Sequence, residues 1–425
     1  MKTNFLRAGL AASFSLFVAG ALMAVPCHAA DAAKPPPISK ALAKPLSEAN
    51  KALNAKDYTT ALAKLKEAQA VSDRTDYDNY IINYYLGVVY VNTNDHPDAT
   101  TAFLAAAQST TAPLDQQHAS AMHLAIQLEN EAKNYAKIIE LAQLAIKNNE
   151  LDNNSTAILA FAYFNTNDYA NAMSTAHKAI DLNNAAGKVP ERGLYQVLMN
   201  SQVLTKDMPS AVKTLETMAN IYGNPEDWGR LIDAIVNSLS TPTKSNRETA
   251  ALYIYRLRLV TGAESAADDY LMMADLAMGQ NSPGDALQAL HTGINSGKLS
   301  PAKAAADLAK ANARAKGDEA ALPAAEALAA KKATADSDVS VAEGYYGYGR
   351  YADAARVAQR AIAKGGPKLT RATLLLGISQ ARAGDPAAAA TLAQVKGDPA
   401  FERAAELWTL YVTRKYGTAA PAAGH

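Results

Sequence analysis

The feature that most constrains this chain is a stretch that keeps returning. In Tyr80–Ala106, YIINYYLGVVYVNTNDHPDATTAFLAA, Leu86, Gly87 and Tyr90 belong to one helical run and Asn92–Asp95 to a turn. Ala99, Phe103 and Ala106 then share the face of a second helix, and Gly87 and Ala99 stand twelve residues apart. The reading is two helices folded back on each other. The small or apolar residue that opens the second helix recurs at Ala61, Ala99, Ile138, Ala172, Ala211, Ala286, Ala354 and Ala389, with gaps of 38, 39, 34, 39, 75, 68 and 35. Self-similarity at this period marks stacked supersecondary units, and the two double-length gaps leave room for two further hairpins with decayed signatures.

Helix capping gives the same register independently. Four residues before each anchor stand Asp57, Asp95, Asn134, Asp168, Asp207, Ser282, Arg350 and Asp385. All but Arg350 can accept a hydrogen bond from the free amides of a first turn. Pro97, Pro209, Pro283 and Pro386 fall in those first turns, where a missing N–H costs little. In the first long gap the same rule takes Asn246 as a cap before Ala250, and predicts an atypical hairpin of Trp228–Ser238 and Arg247–Thr261, bulkier than the rest. The second gap, Ser300–Lys332, is rich in alanine and so helical but loosely packed, with Pro323 blurring its register.

Leu86, Gly87, Tyr90, Ala99, Phe103 and Ala106, with Leu159, Ala160, Tyr163, Ala172 and Ala179, carry a resemblance to tetratricopeptide repeat proteins. Leu376, Gly377 and Ala389 repeat it, and Tyr345, Tyr351, Ala354 and Ala361 do so more loosely. The resemblance covers residues 46–223 well and 264–417 loosely, and the periods of 38 or 39 call for longer turns between hairpins than the family's 34. It implies an all-α solenoid of helix-turn-helix repeats, a superhelix whose first helices line a groove for a peptide or helix of a protein partner. Counted from the Leu-Gly pair, the family's groove positions are Tyr84, Val88 and Val91; His123, Gln127 and Asn130; Ala157, Phe161 and Phe164; and Gln196, Asn200 and Val203. This surface is apolar and aromatic with amide patches, and lacks the lysine-asparagine set with which some members clamp a terminal carboxylate. The competing reading is that Tyr84, Phe161 and Phe164 pack between hairpins. Tyrosine outnumbers phenylalanine 20 to 7, which suits a half-wet recognition surface.

The N-terminus reads as an export signal: Lys2 and Arg7 ahead of an apolar run, Ala8–Val25, then small residues at Cys27-His28-Ala29-Ala30. Its removal takes two positive charges from a chain of 41 basic and 41 acidic residues, leaving the mature protein near −2 and without its single cysteine. The alternative is a retained anchor. A periplasmic protein without disulfides or thiol chemistry follows, and the charge balance offers nothing to nucleic acid. The exported, alanine-rich form is also similar to proteobacterial repeat proteins found beside TonB–ExbB–ExbD systems, which implies an envelope partner of that energy-transducing type. The expected organisation is a signal peptide at 1–30, a Pro-rich linker at 31–45 with helices from about Leu46, an N-terminal array at 46–223, atypical hairpins at 224–298, an alanine-rich array at 299–417 and a disordered tail at 418–425.

Catalytic and cofactor chemistry finds no footing. His118 and His123 are five apart, off one helical face, and His177 and His291 lie inside second helices. Gly293–Lys298 has one residue too few for a phosphate loop and no Ser or Thr after its lysine, while Asp268-Asp269 and Asp336-Ser337-Asp338 lack calcium-loop spacing. The sequence therefore points to a non-catalytic scaffold without cofactor or metal, binding a protein in the cell envelope. The alternative is an accessory protein that binds an envelope carbohydrate polymer by stacking tyrosines on sugar rings.

Overall fold

Eight short turns, built alike, set the architecture. At each, one residue with positive φ (Lys56, Asn94, Lys133, Asn167, Lys206, Asn281, Gly349 or Gly384) precedes the cap residue foreseen from sequence. The cap's backbone N–H then reaches back five residues to a carbonyl, at 2.7–2.9 Å in all eight. This closes the end of one helix while the next begins. Asp57, Asp95, Asp168 and Asp207 also accept from the N–H three residues on, at 3.1–3.3 Å. Asn134, Ser282 and Arg350 form no such side-chain cap.

The computed structural model describes residues 35–417 apart from 242 and 265. Its described residues form twenty-one helices and no strand. The proposed signal peptide and the tail at 418–425 lie outside them. Contacts divide the chain into two compact units that meet in sequence between Ala211 and Val212.

Unit 1 comprises α1 (Lys40–Asn54), α2 (Tyr58–Gln69), α3 (Asp76–Asn92), α4 (His96–Ala107), α5 (Gln116–Glu131), α6 (Tyr135–Lys147), α7 (Asn153–Asn165), α8 (Tyr169–Ala185) and α9 (Arg192–Leu204), before α10 (Met208–Ile221) carries the boundary. Within hairpins the turns are short, and the connections between hairpins run over 70–75, 108–115, 148–152 and 186–191. Most of the extra length of the 38- and 39-residue repeats lies in the longer helices α3, α5 and α8 and in the 108–115 connection, rather than in longer turns throughout as expected. The first helix starts at Lys40 rather than near Leu46, so the end of the expected linker is helical. Ser39 is tied there by its N–H and hydroxyl to Asp78 of α3, and Leu42 is fully buried. Pro45 is accommodated inside α1.

Packing follows a small-against-large rule. A Cβ added at Gly87 would lie 2.7–2.8 Å from three ring atoms of Phe103, so α3 and α4 approach as closely as they do because residue 87 has no side chain. Ala61, Ala99, Ile138 and Ala172 are completely buried at the matching places. One continuous core runs from Leu42 to Ala162.

Unit 2 continues with α11 (Pro225–Ser238), α12 (Lys244–Thr261), α13 (Ala267–Gly279), α14 (Pro283–Asn295), α15 (Pro301–Ala315), α16 (Asp318–Ala330), α17 (Asp336–Gly347), α18 (Tyr351–Lys364), α19 (Leu369–Ala383), α20 (Ala388–Leu392) and α21 (Pro399–Tyr416). The atypical hairpin is α11 and α12, but the cap of α12 is Thr243. Asn246 sits in the first turn and donates its side-chain amide to Asp398 at 2.9 Å. In the alanine-rich gap, α15 buries only Ala304 and Ala311, and α16 only Leu322 and Ala329, since alanine offers little area to bury. At the last hairpin Ala388 takes the buried place expected for Ala389; the short α20 begins only at Ala388, two residues later than the other second helices do relative to their anchors, and Leu392 lies against Gly377.

The last helix does not simply extend the stack. It folds back on α12, where the Trp408 indole N–H donates to the Tyr253 carbonyl at 2.9 Å and the Phe401 ring lies 6.2 Å from that of Tyr253. Asp398, which caps α21, also accepts from Thr241 and Asn246.

Candidate protein-binding groove

In unit 1 the groove positions keep the register read from the Leu-Gly pair. Tyr84, Val88 and Val91 on α3, His123, Gln127 and Asn130 on α5, Phe161 and Phe164 on α7, and Gln196 and Asn200 on α9 are all half-buried. None is lost to the core and none is fully exposed. Ala157 is buried and Val203 exposed. The four first helices thus present one partly wet row.

The side chains on that row differ in how free they are. The Tyr84 ring packs edge-on to Phe103 at 6.0 Å and to Tyr85 at 5.8 Å, and burial, with Tyr85 and Asp115 nearby, pushes its phenol above the ordinary value. Val88 and Val91 rest on the core. The tip of the Phe161 ring would meet a Cβ at Gly193 at 2.7 Å, so Phe161 fills the gap where α9 passes. Phe164 lies 5.9 Å from the Tyr169 ring. His123 donates from Nε2 to the Glu150 carbonyl at 2.6 Å, with Nδ1 3.5 Å from Asp152, which ties it to the turn before α7.

The amides are free. Among the described residues, the side chains of Gln127, Asn130, Gln196 and Asn200 find no hydrogen-bond partner in the chain, while each keeps part of its surface in water. An amide can donate and accept at once, which is what a peptide backbone or a neutral side chain requires. His118 is fully buried beneath this row and bonded to Glu150 at 2.8 Å.

In unit 2 the same offsets, taken from Ala354, fall on Val339, Glu343 and Tyr346 of α17. These are buried. Arg256 of α12 enters from the opposite side, with Nη2 donating to Asp285 Oδ2 at 2.6 Å and to Glu343 Oε2 at 2.7 Å. Its guanidinium lies 4.2 Å from the centre of the Tyr346 ring and 4.9 Å from that of Tyr253. Arg371 of α19 donates to Glu343 at 3.2 Å, and the Tyr253 hydroxyl donates to the same carboxylate. Burial works to raise the Glu343 carboxyl, but Arg256 and Arg371 outweigh it and hold it below the usual carboxylate range. The backbones of α14 and α17 bring Asp285 to this point: a Cβ at Gly284 would lie 2.6 Å from the Gly347 carbonyl carbon.

The sequence reading takes the Arg247–Thr261 helix as bulky but does not single out Arg256 or its acids. The available signal was ALYIYRLRLV, a helix apolar on all sides with arginines inside it, which implies a fully buried helix with paired charges. Among the described residues no group of His, Cys, Asp and Glu is arranged to hold a metal ion, and no helix is long and apolar enough to cross a membrane.

Paired helices, closed by one recurring turn and stacked small against large, define a helix-hairpin repeat array. A family model described as tetratricopeptide repeat matches residues 46–115 and 342–400, one stretch in each unit. Among solved structures, a tetratricopeptide repeat protein from Parabacteroides merdae matches at 11% identity over 62% of this chain and 94% of its own, with a TM-score of 0.34. The apo form of RapI matches at 10% over 59% of this chain and 94% of its own, with a TM-score of 0.32. A complex of Naa15/Naa10 bound to HypK-THB matches at 14% over 86% of this chain and 63% of its own, with a TM-score of 0.39. No curated protein matches the chain.

Proposed function

We propose that this protein is an exported, non-catalytic scaffold whose unit 1 groove receives a segment of a protein partner in the cell envelope. The observation that carries the reading is the row of half-buried groove residues with four amides left unpartnered within the chain. Solvated amides beside apolar area provide hydrogen bonding with little desolvation cost and suit a peptide ligand. The signal-like N-terminus and the resemblance to proteins found beside TonB–ExbB–ExbD systems support an envelope partner of that energy-transducing kind. The protein reading is preferred to polymer binding because the row sets unpartnered amides beside half-buried apolar side chains, an arrangement suited to a peptide segment.

The test is capture from envelope extract by the tagged full chain, compared with a variant carrying Gln127→Ala, Asn130→Ala, Gln196→Ala and Asn200→Ala. None of these side chains is bonded within the chain, so the helical spectrum is kept while capture of a specific protein falls at least tenfold, about 1.4 kcal/mol. Equal capture by the two proteins, or capture of polysaccharide alone, contradicts the proposal.

A further inference from the structure

Unit 2 has a groove register of its own, and its chain fills it. In unit 1 the positions corresponding to Glu343 and Tyr346 keep part of their surface in water, whereas Glu343 and Tyr346 are buried against α12, a helix outside the regular repeat pattern. What α12 inserts is a charge: a guanidinium between two carboxylates and over an aromatic ring, which is how proteins recognise arginine side chains. We propose that Asp285 and Glu343 form an arginine-binding site in the groove of unit 2, occupied in the resting chain by Arg256 of its own α12.

The chemistry of the site specifies the ligand class. Two acids meet the guanidinium of Arg256, with Arg371 balancing the second negative charge, and Tyr346 lies under the guanidinium plane. The site is not fully satisfied by its occupant, since Arg256 Nη1 is buried without a partner among the described residues. A buried ion pair of this kind sets specificity more than stability, because desolvating both charges offsets much of their attraction. The contact that Arg256 makes with the two acids is one that another arginine beside an aromatic residue can make in its place. The resting chain keeps this groove closed, and its competing ligand is a peptide segment presenting that pair. The inference concerns unit 2 alone and does not depend on the reading of unit 1.

The experiment vacates the site and refills it with methylguanidinium, using methylammonium as the control. Trp408 reports on the site because its indole is bonded to the Tyr253 carbonyl. In full-length Arg256→Ala, methylguanidinium produces a saturable change in tryptophan emission at millimolar concentration and raises the melting temperature by at least 3 °C. Methylammonium does neither, and the unsubstituted chain shows no saturable response because Arg256 already occupies the site. If Arg256→Ala folds only when methylguanidinium is present, that requirement is itself the predicted rescue. In Arg256→Ala with Asp285→Asn and Glu343→Gln, the buried acids are neutralised, the chain folds without added ligand, and the response is lost. The proposal is overturned by a folded Arg256→Ala that does not respond, by an equal response to methylammonium, or by a triple variant that responds as the single one does.

Discussion

Substituting Gly87 by alanine separates two opposed effects whose sizes follow from the structure. The new methyl would sit over the Phe103 ring at 2.7–2.8 Å, against the 3.5–4.0 Å of an ordinary carbon contact, so the ring or the helix must withdraw by about 1 Å. Phe103 is fully buried with Tyr84 on one edge, so nothing yields cheaply. Overpacking of this kind costs about 1–3 kcal/mol. Alanine returns about 0.5–1 kcal/mol as a better helix former than glycine. The net expectation is a loss of about 0–2.5 kcal/mol in Gly87→Ala. Phe103→Leu relieves the clash, so Gly87→Ala costs at least about 1 kcal/mol less in that background than in the native one. Urea unfolding followed by circular dichroism, with amide exchange across α3 and α4, reads both. Additive effects, or a stabilised Gly87→Ala, would refute the argument that this contact sets the helix spacing. The same experiment at Gly193 and Phe161 tests whether Phe161 is a packing residue.

Three further outcomes are expected. Gly384 has positive φ and open space where a Cβ would go, so Gly384→Ala loses about 1 kcal/mol from backbone strain alone, and a melt showing no loss would contradict the turn described above. The bond from Arg356, opposed by burial and joined by bonds from Arg360 and Tyr345, lowers the Glu326 carboxyl to about 2. Because the folded value is depressed, the stability it contributes is present above about pH 4.5 and lost as pH falls toward 2; screened by solvent it amounts to about 1 kcal/mol. Glu326→Gln should therefore weaken the protein near neutrality and leave it no weaker near pH 2, as read from urea midpoints; an equal deficit at both would contradict this. N-terminal sequencing of protein recovered from the envelope should begin near Ala30 or Asp31, and an intact Met1 would rule out cleavage of the proposed signal.

Much of unit 1 was legible because two periodic signals, the anchors and the caps, have purely local causes. Gly87, Ala99 and Asp95 act on residues within one hairpin, so their spacing alone reports them. The recurring positive-φ position was less visible, since Lys56, Lys133 and Lys206 occupy it as well as Asn and Gly. Lysine carries no turn preference that would mark the site. Unit 2 was the harder part. The closure by α21 joins residues such as Thr241 and Asp398, which lie 157 positions apart, and no local pattern records such a pairing. Arg256 was hidden for the same reason: its partners Asp285 and Glu343 stand 29 and 87 positions away. In the groove, spacing picked out a half-buried row but could not say which side chains were already engaged. Phe161 and Gln127 look alike by register, and only the position of α9 over Phe161 separates them.

Site-specific photocrosslinking in envelopes tests the central claim most directly. A photoreactive residue placed at Gln127 or Asn200, which lie half-buried on the groove row, is compared with one at Lys178, which is exposed on α8. The account predicts a discrete protein adduct from both groove positions and none from Lys178. Adducts of equal yield from all three positions, or adducts from Lys178 alone, would contradict it.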